Sequence, residues 1–307
     1  MIQLLLFLIS PYFLKNTQKN KPKIMILKFI KNFSHLIITM MSKIISFASD
    51  FGLDDGSVGI VKGVINRIDP DIKINDISHG IEPQNIKEGS LLLMRAIQYI
   101  PQGVLLAVVD PGVGTDRKPI ALDTDWGVMI GPDNGLLNLA CATVGGAQRG
   151  FLLENEDWII PSEGNTFHGR DIFSPFAAGY ASGQLAVEDF GSELDLSNLN
   201  QYLIPLTEVT DKEIKGEILW VDHYGNCQTN VSPEELRGLK KSIGDIINLK
   251  IGNLEIKSTW VDSYQGEYLG DVGLITDSWG MVSIFASSNN ASSILKIEDG
   301  AKVNFSI

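Results

Sequence analysis

Three aspartates stand directly after apolar, β-prone segments of this 307-residue sequence: Asp50, Asp110 and Asp133. In open α/β sheets, ligands bind beyond the carboxyl ends of the strands, so a site is expected first at such positions. Any one of these aspartates alone is more typical of a helix or turn cap. A half-buried carboxylate is costly unless it is paired, so the three together favour a polar site at one edge of a sheet.

The segment DPGVGTDR places a carboxylate, Asp110, and a guanidinium, Arg117, at the two ends of one compact loop. Its proline and two glycines predict a tight turn whose backbone amides can approach a ligand closely. Such a pair can hold a water molecule and lower its pKa, or it can be an ordinary salt bridge. The spacing alone leaves both interpretations open.

Two histidines, His79 in DISHG and His168 in TFHGRD, lie in polar turns where a proton shuttle could work, although a single histidine is more often structural. The segment VDHYGNCQTN groups Asp222, Tyr224 and Asn226 into a polar and aromatic cluster that suits an amine and a nucleobase. The same segment also predicts an ordinary β-turn.

The segment DFGLDDGSV begins at Asp50 and lacks the GxGxxG fingerprint, so no Rossmann dinucleotide site is predicted. Asp50 could instead accept both hydroxyls of a ribose. Ser57, at the start of the next predicted helix, could contact a ligand or cap that helix.

Alternating strands and helices must position these residues. Apolar periodicity predicts strands over 44–49, 72–77 and 103–109, helices over 57–68 and 86–100, then short strands over 119–122 and 128–130 and a helix over 171–180. Such a βαβαβ pattern predicts an α/β domain with a mainly parallel sheet and right-handed crossovers.

The alternation stops near residue 205, after which short β-prone runs are separated by Gly, Asn and Ser turns. We therefore expect an α/β catalytic domain over 42–205 and a smaller all-β C-terminal domain over 213–307. Residues 1–41 carry lysines and no acidic residue, and they lack the order of a secretory signal. We interpret them as an N-terminal extension, with a weak amphipathic membrane anchor as the alternative.

Composition narrows the class of partner. A net charge of −12 argues against nucleic acid, because phosphate binding draws on clustered Lys and Arg, and favours a small molecule. No stable membrane insertion is expected. Cys141 and Cys227 are far apart and lack metal-ligand spacing, so a metal-free cytoplasmic protein is the default expectation.

Taken together, DFGLDDGSV, DPGVGTDR with the later GPDNGLL, TFHGRD and WVDHYGN closely resemble the S-adenosyl-L-methionine hydroxide adenosyltransferases. The resemblance runs from about Ile44 to the C-terminus. It implies hydrolysis of S-adenosyl-L-methionine to adenosine and L-methionine by activated water attacking ribose C5′, without a cofactor. It also implies a homotrimer, with each site between the N-terminal domain of one subunit and the C-terminal domain of the next.

The resemblance also assigns roles to residues. The positions that match the water-activating set are Asp110, Arg117 and His168. By the same match, Asp50 would bind the ribose hydroxyls. Ser57 and Asp222 would bind the methionine ammonium, and Tyr224 and Asn226 would bind the adenine.

Two features favour hydrolysis over the related halogenation. This sequence has Asp110-Pro111 at the position that matches a Tyr-Pro pair in the halogenases. A carboxylate there should repel halide and accept a proton from water. The run between Ile120 and Gly131 also lacks the long insertion of the fluorinating enzymes. The segment FASSNNASS departs from the expected pattern, which leaves the adenine contacts of 287–289 open.

Three alternatives remain: an S-adenosyl-L-methionine-dependent halogenase, a non-catalytic S-adenosyl-L-methionine or adenosine-binding protein, and a metal-dependent hydrolase. The metal ligands would come from Asp50, Asp54, Asp55, Asp133, His168 and Asp171.

Overall fold

The computed structural model describes residues 43–268, 270–297 and 300–307. The chain forms two compact units, of which the first ends at Gln201 and the second runs Tyr202–Ile307. The expected N-terminal extension, 1–41, lies outside the described residues. Within the described ranges, no helix is long and apolar enough to cross a membrane.

The first unit is built on a six-stranded sheet. Its strands are β1 (Ile44–Ser49), β2 (Lys73–Ser78), β3 (Gly103–Val108), β4 (Pro119–Thr124), β5 (Gly127–Pro132) and β6 (Ala147–Leu152). The strand order is β2-β1-β3-β5-β4-β6. The first four strands of that order are parallel, whereas β4 is antiparallel to both β5 and β6. The sheet is therefore mixed, and the expectation of a mainly parallel sheet is not confirmed. Two residues join β4 to β5, and so short a connection permits only an antiparallel pair.

Helices cover both faces of this sheet. They are α1 (Ser57–Ile68), α2 (Ile86–Ala96), α3 (Asn138–Thr143) and α4 (Ser174–Ala181). One apolar cluster joins α1 and α4 to the sheet, and another joins α2 and α3 to the opposite face. The unit thus has three layers, as an α/β domain requires.

Two helices differ from their predicted extents. The helix expected over 86–100 is regular only to Ala96, after which the N–H groups of Tyr99 and Ile100 both donate to the Ala96 carbonyl in a turn. Pro101 disfavours helical backbone at Ile100, so the helix does not resume there. The helix expected over 171–180 starts with a π-helical turn, Gly169–Phe173, in which Ser174 N–H donates to the Gly169 carbonyl. Such turns are rare and are frequent at functional sites.

The second unit is the expected all-β domain, with two short helices added. Its strands are β7 (Glu208–Val209), β8 (Glu213–Val221), β9 (Cys227–Thr229), β10 (Ile246–Ile251), β11 (Leu254–Val261), β12 (Gly273–Thr276), β13 (Val282–Phe285) and β14 (Lys302–Ser306). The helices are α5 (Pro233–Gly238) and α6 (Ala291–Leu295). The last strand, β14, pairs with both β10 and β8, so the sheet closes on itself around an apolar core.

Candidate active site

Arg117 joins three predicted catalytic residues into one chain of contacts. Its Nε donates to Asp110 Oδ1 at 2.9 Å, and its Nη2 donates to Asp110 Oδ2 and, at 3.0 Å, to His168 Nδ1. The side chains of Asp110 and Arg117 keep only 5% and 7% of their exposure. Paired donors facing a carboxylate give both strength and a fixed geometry. The structure therefore brings Asp110, Arg117 and His168 together.

The remaining guanidinium nitrogen, Arg117 Nη1, is buried and has no hydrogen-bond partner among the described residues. The Phe173 ring lies 5.4 Å from the guanidinium carbon and covers one face of the group. Buried polar groups are almost always hydrogen-bonded, so an unpaired donor here indicates a place for an oxygen acceptor.

The contacts of His168 fix its protonation. An arginine N–H can only donate, so Nδ1 must be the bare, accepting nitrogen. The other nitrogen, Nε2, lies 2.5 Å from Asn165 Oδ1 and donates to it. Burial lowers the pKa of His168, and the positive charge of Arg117 lowers it further. His168 is therefore a neutral imidazole with its proton on Nε2.

Asn165 was not predicted as a site residue. It lies three positions before His168 in a polar turn, and an asparagine in such a turn carries no signal of its own. Only the predicted role of His168, together with the need of its second nitrogen for an acceptor, could have pointed to it.

The loop from Asp110 to Arg117 is a compact turn. The amide N–H of Val113 donates to the Asp110 carbonyl at 3.2 Å, and that of Thr115 donates to the Gly112 carbonyl at 3.2 Å. Gly114 has a φ of +78°, and a Cβ there would lie 2.6 Å from the Asn165 carbonyl oxygen. This glycine therefore allows the loop to meet the segment that carries His168.

Asp50 lies at the end of β1, and its Oδ2 accepts from the Gln84 N–H at 2.8 Å. Burial raises the pKa of Asp50, the Gln84 hydrogen bond opposes that rise, and the negative charge of Asp110 adds to it. The carboxylate is thus within electrostatic reach of Asp110, as expected for two residues that follow neighbouring parallel strands.

Ser57 is the first residue of α1 and does not cap the helix. The capping position is held by Gly56, and Asp55 Oδ1 accepts from the Ser57 N–H at 2.9 Å. The capping alternative for Ser57 is therefore wrong, and no contact among the described residues joins it to Asp110, Arg117 or His168.

Asp133 serves a different purpose from the other two aspartates. Its Oδ1 accepts from the Asn200 N–H at 2.9 Å, and its carbonyl accepts from Asn200 Nδ2 at 3.0 Å. These bonds tie the end of the first unit to the carboxyl end of β5. Of the three aspartates at this edge of the sheet, Asp133 therefore has a structural role.

In the second unit, Asp222, Tyr224 and Asn226 form one turn. Asp222 Oδ1 accepts from the N–H groups of Tyr224 at 2.9 Å and Asn226 at 2.8 Å, while its Oδ2 accepts from Asn226 Nδ2 at 2.8 Å. The predicted β-turn is present, since Gly225 N–H donates to the Asp222 carbonyl at 2.9 Å. Tyr224 is 76% exposed, so the turn presents its ring to solvent.

The candidate metal ligands do not assemble. Within the described ranges, no three His, Cys, Asp or Glu side chains are placed to hold a metal ion. Asp171 instead pairs with Arg170 through two bonds of 2.6 and 2.9 Å, and His168 contacts Arg117.

Comparison with known proteins gives matches along both units. A family model described as the SAM hydroxide adenosyltransferase N-terminal domain matches residues 45–191, and its C-terminal counterpart matches residues 216–304. The chain is 37% identical to the (R)-S-adenosyl-L-methionine hydrolase of Salinispora tropica over 259 residues, which cover 84% of this chain and 96% of that protein.

More distant similarity extends to the fluorinase of Actinopolyspora mzabensis, which is 25% identical over 293 residues, 85% of this chain and 96% of that protein. A crystal structure of a conserved protein from Thermotoga maritima superposes with a TM-score of 0.78 at 32% identity, covering 86% of this chain and 100% of that one. The family models and the relatives agree over most of the chain, and the chain belongs to the SAM hydroxide adenosyltransferase family.

Proposed function

We propose that this protein hydrolyses S-adenosyl-L-methionine to adenosine and L-methionine. The observation that carries the proposal is the buried contact chain of Asp110, Arg117 and His168, with Arg117 Nη1 left to hold an oxygen. The relatives named as hydrolases support it, because they share 33% to 37% identity with this chain, more than the 25% of the fluorinase.

The reaction needs positioning more than acid assistance, because the sulfonium is already a good leaving group. The water oxygen forms a bond to ribose C5′, the C5′–S bond breaks, and its electron pair passes to the sulfur of methionine. Asp110 accepts the proton that water loses. Arg117 stabilises the hydroxide character of the oxygen by its charge. His168 accepts from Arg117 and thereby keeps the guanidinium in place.

The substrate carries positive charge on its sulfonium and its ammonium, and an acidic protein of net charge −12 suits it. In this proposal Asp50 accepts the ribose hydroxyls, which agrees with its position near Asp110. Ser57 and Asp222 bind the ammonium. The exposed ring of Tyr224 and the amide of Asn226 bind adenine, since aromatic rings stack well on nucleobases.

No resident metal or cofactor is part of the proposed reaction, because the activated water needs only Asp110 and Arg117. A homotrimer and a cytoplasmic location complete the proposal. The trimer rests on the family resemblance, and the location on Cys141 and Cys227, which are buried and form no disulfide with each other.

The test is to incubate the full chain with S-adenosyl-L-methionine and separate the products by chromatography. We expect equal amounts of adenosine and methionine, unchanged by a chelator or by added chloride. Asp110→Asn should lower turnover by at least about 100-fold, since it removes the proton acceptor, yet still bind adenosine. Asp116→Asn is the matched control, because Asp116 is an exposed carboxylate of the same loop, and it should behave as the wild type.

Other outcomes would replace the proposal. A chlorinated nucleoside would identify a halogenase, and loss of activity with the chelator would identify a metal-dependent hydrolase. Substrate that binds tightly but stays intact would identify a binding protein. Full turnover by Asp110→Asn would contradict the role given to Asp110.

A further inference from the structure

A second histidine network lies beside Asp50. Ser49 Oγ is 2.8 Å from His79 Nδ1, and His79 Nε2 is 3.1 Å from Asp76 Oδ1. The other Asp76 oxygen, Oδ2, accepts from Lys62 Nζ at 2.5 Å. Serine, histidine and aspartate are thus connected in the order familiar from nucleophilic hydrolases.

Ser49 is nevertheless no nucleophile, because it is fully buried. It is the last residue of β1 and keeps 0% of its exposure, while His79 keeps 6% and packs against the Phe47 ring at 4.6 Å between centroids. A hydroxyl that no substrate can reach cannot form a covalent intermediate. The network must act through its neighbours.

The proton positions follow from the donors and acceptors. The Asp76 carboxylate can only accept, so His79 Nε2 carries a proton and donates to it. In the neutral imidazole, Nδ1 then accepts from the Ser49 hydroxyl. A lone pair of Ser49 Oγ then faces the Phe51 N–H, which donates to it at 3.4 Å. The hydroxyl thus connects the His79 ring to the backbone just after Asp50.

The backbone around Asp50 is held at successive amides. Asp50 N–H donates to the Val108 carbonyl at 3.3 Å, and Gly52 N–H donates to the His79 carbonyl at 2.8 Å. Together with the Phe51 bond to Ser49, every amide from residue 50 to 52 has an acceptor. His79 contributes both through its ring and through its carbonyl.

We propose that Ser49 and His79 are positioning residues that fix the backbone at Asp50, so that its carboxylate meets the two ribose hydroxyls of the substrate. This rests on the proposed function, in which Asp50 binds the ribose. In this role the buried Ser49 and His79 support ribose binding, whereas Asp110, Arg117 and His168 activate water.

The experiment measures the affinity of the full chain for adenosine and for 2′,3′-dideoxyadenosine, which lacks both hydroxyls. Ser49→Ala should weaken adenosine binding about three- to tenfold, the effect of one hydrogen bond, and leave the dideoxy compound nearly unaffected. In an Asp50→Ala background, Ser49→Ala should cause no further loss, because the two residues act through the same contact.

Ser90→Ala is the matched control, since Ser90 is also fully buried in the first unit and donates one bond, to the Gly135 carbonyl. It should leave the preference for adenosine unchanged. Asp76→Ala is the second variant, because its side chain is 44% exposed and its loss should leave folding intact even where Ser49→Ala does not. It removes the acceptor that fixes the His79 proton and should shift the preference in the same direction.

Two failures can be told apart. If the wild type binds both nucleosides equally, Asp50 does not hold the ribose, and that part of the proposed function falls together with this inference. If the wild type prefers adenosine and both Ser49→Ala and Asp76→Ala keep the full preference, only the positioning role is overturned. Equal losses for the two nucleosides would likewise show a purely structural effect.

Discussion

At the scale of single residues, the hydrogen bond from Arg117 Nη2 to His168 Nδ1 requires that His168 be neutral. Because folding lowers the pKa of His168, the folded protein takes up this proton less readily than the unfolded chain. The contribution of His168 to the free energy of unfolding is therefore present above about pH 6.5 and is lost as the pH falls below it. A protonated His168 would also present an N–H to Arg117 in place of an acceptor.

Asn165→Asp tests this condition. A carboxylate beside Nε2 should raise the pKa of His168, so the acid limb of the pH profile of kcat should move to higher pH. At neutral pH we expect turnover to drop by about tenfold or more and to recover as the pH rises. Asn165→Ala, which adds no charge, should lower kcat without moving the acid limb. Superimposable profiles for the wild type and Asn165→Asp would contradict the assignment.

At the scale of elements, the turn that carries Tyr224 depends on a close approach to the N-terminus of α6. Gly225 has a φ of +83°, and a Cβ there would lie 2.1 Å from Asn290 Cγ. Asn290 in turn caps α6 by accepting from the Ser293 N–H at 2.7 Å. The turn and the FASSNNASS segment therefore pack directly on each other.

Gly225→Ala should destabilise the protein more than Gly244→Ala does. Gly244 also has a positive φ, +96°, but faces open space. We expect Gly244→Ala to cost about 1–2 kcal/mol from its backbone conformation alone. Gly225→Ala should cost a further 1–3 kcal/mol, roughly, from overpacking against Asn290. Urea unfolding of the two variants gives the comparison, and equal midpoints would mean that the turn can move away from α6.

The helices and strands could be predicted only as far as apolar periodicity encodes them. Strand β1 and helix α1 were predicted with the observed bounds, because apolar periodicity reports which residues are buried. It does not report strand direction, so it predicted that β4 and β5 extend the sheet without showing that they form an antiparallel hairpin. The π-helical turn before α4 was not predicted, because a single turn of five residues is too short for apolar periodicity to distinguish it from an α-helical turn.

The residues of the candidate site were likewise predictable only in part. Asp50, Asp110 and His168 stand out from the sequence as polar residues at strand ends and in turns. Their joint role needed the resemblance, because residue types and spacing left a salt bridge and a water-handling pair equally open. Asn165 and Ser49 act through hydrogen bonds alone, and no periodicity or charge pattern marks them.

At the scale of the whole molecule, the proposed trimer with shared sites can be tested by mixing inactive chains. Asp110→Asn alters the first unit, and Tyr224→Ala alters the second. If each site takes its first unit and its second unit from different subunits, a mixture of the two variants should contain some intact sites. We expect each variant to be nearly inactive alone and the refolded mixture to recover about a quarter of wild-type turnover, the random share of sites with both units intact.

The sedimentation coefficient of the wild type should correspond to three chains. The control is a mixture of Asp110→Asn with a second first-unit variant, Arg117→Lys, which should recover nothing because every site has a damaged first unit. A monomer in solution, or no recovery in the first mixture, would rule out shared sites.

Because β14 is the last strand and closes the sheet of the second unit, that sheet cannot be completed until the end of the chain has been synthesised. The first unit has all of its strands once Leu152 has left the ribosome. Glu217 and its partner Lys302 are 85 residues apart, so β8 waits for β14 for roughly 4–17 s at typical rates of translation. During that interval the edge of β8 that β14 will cover, and later that of β10 (Ile246–Ile251), exposes unpaired amide and carbonyl groups, which can pair with another nascent chain on the same messenger.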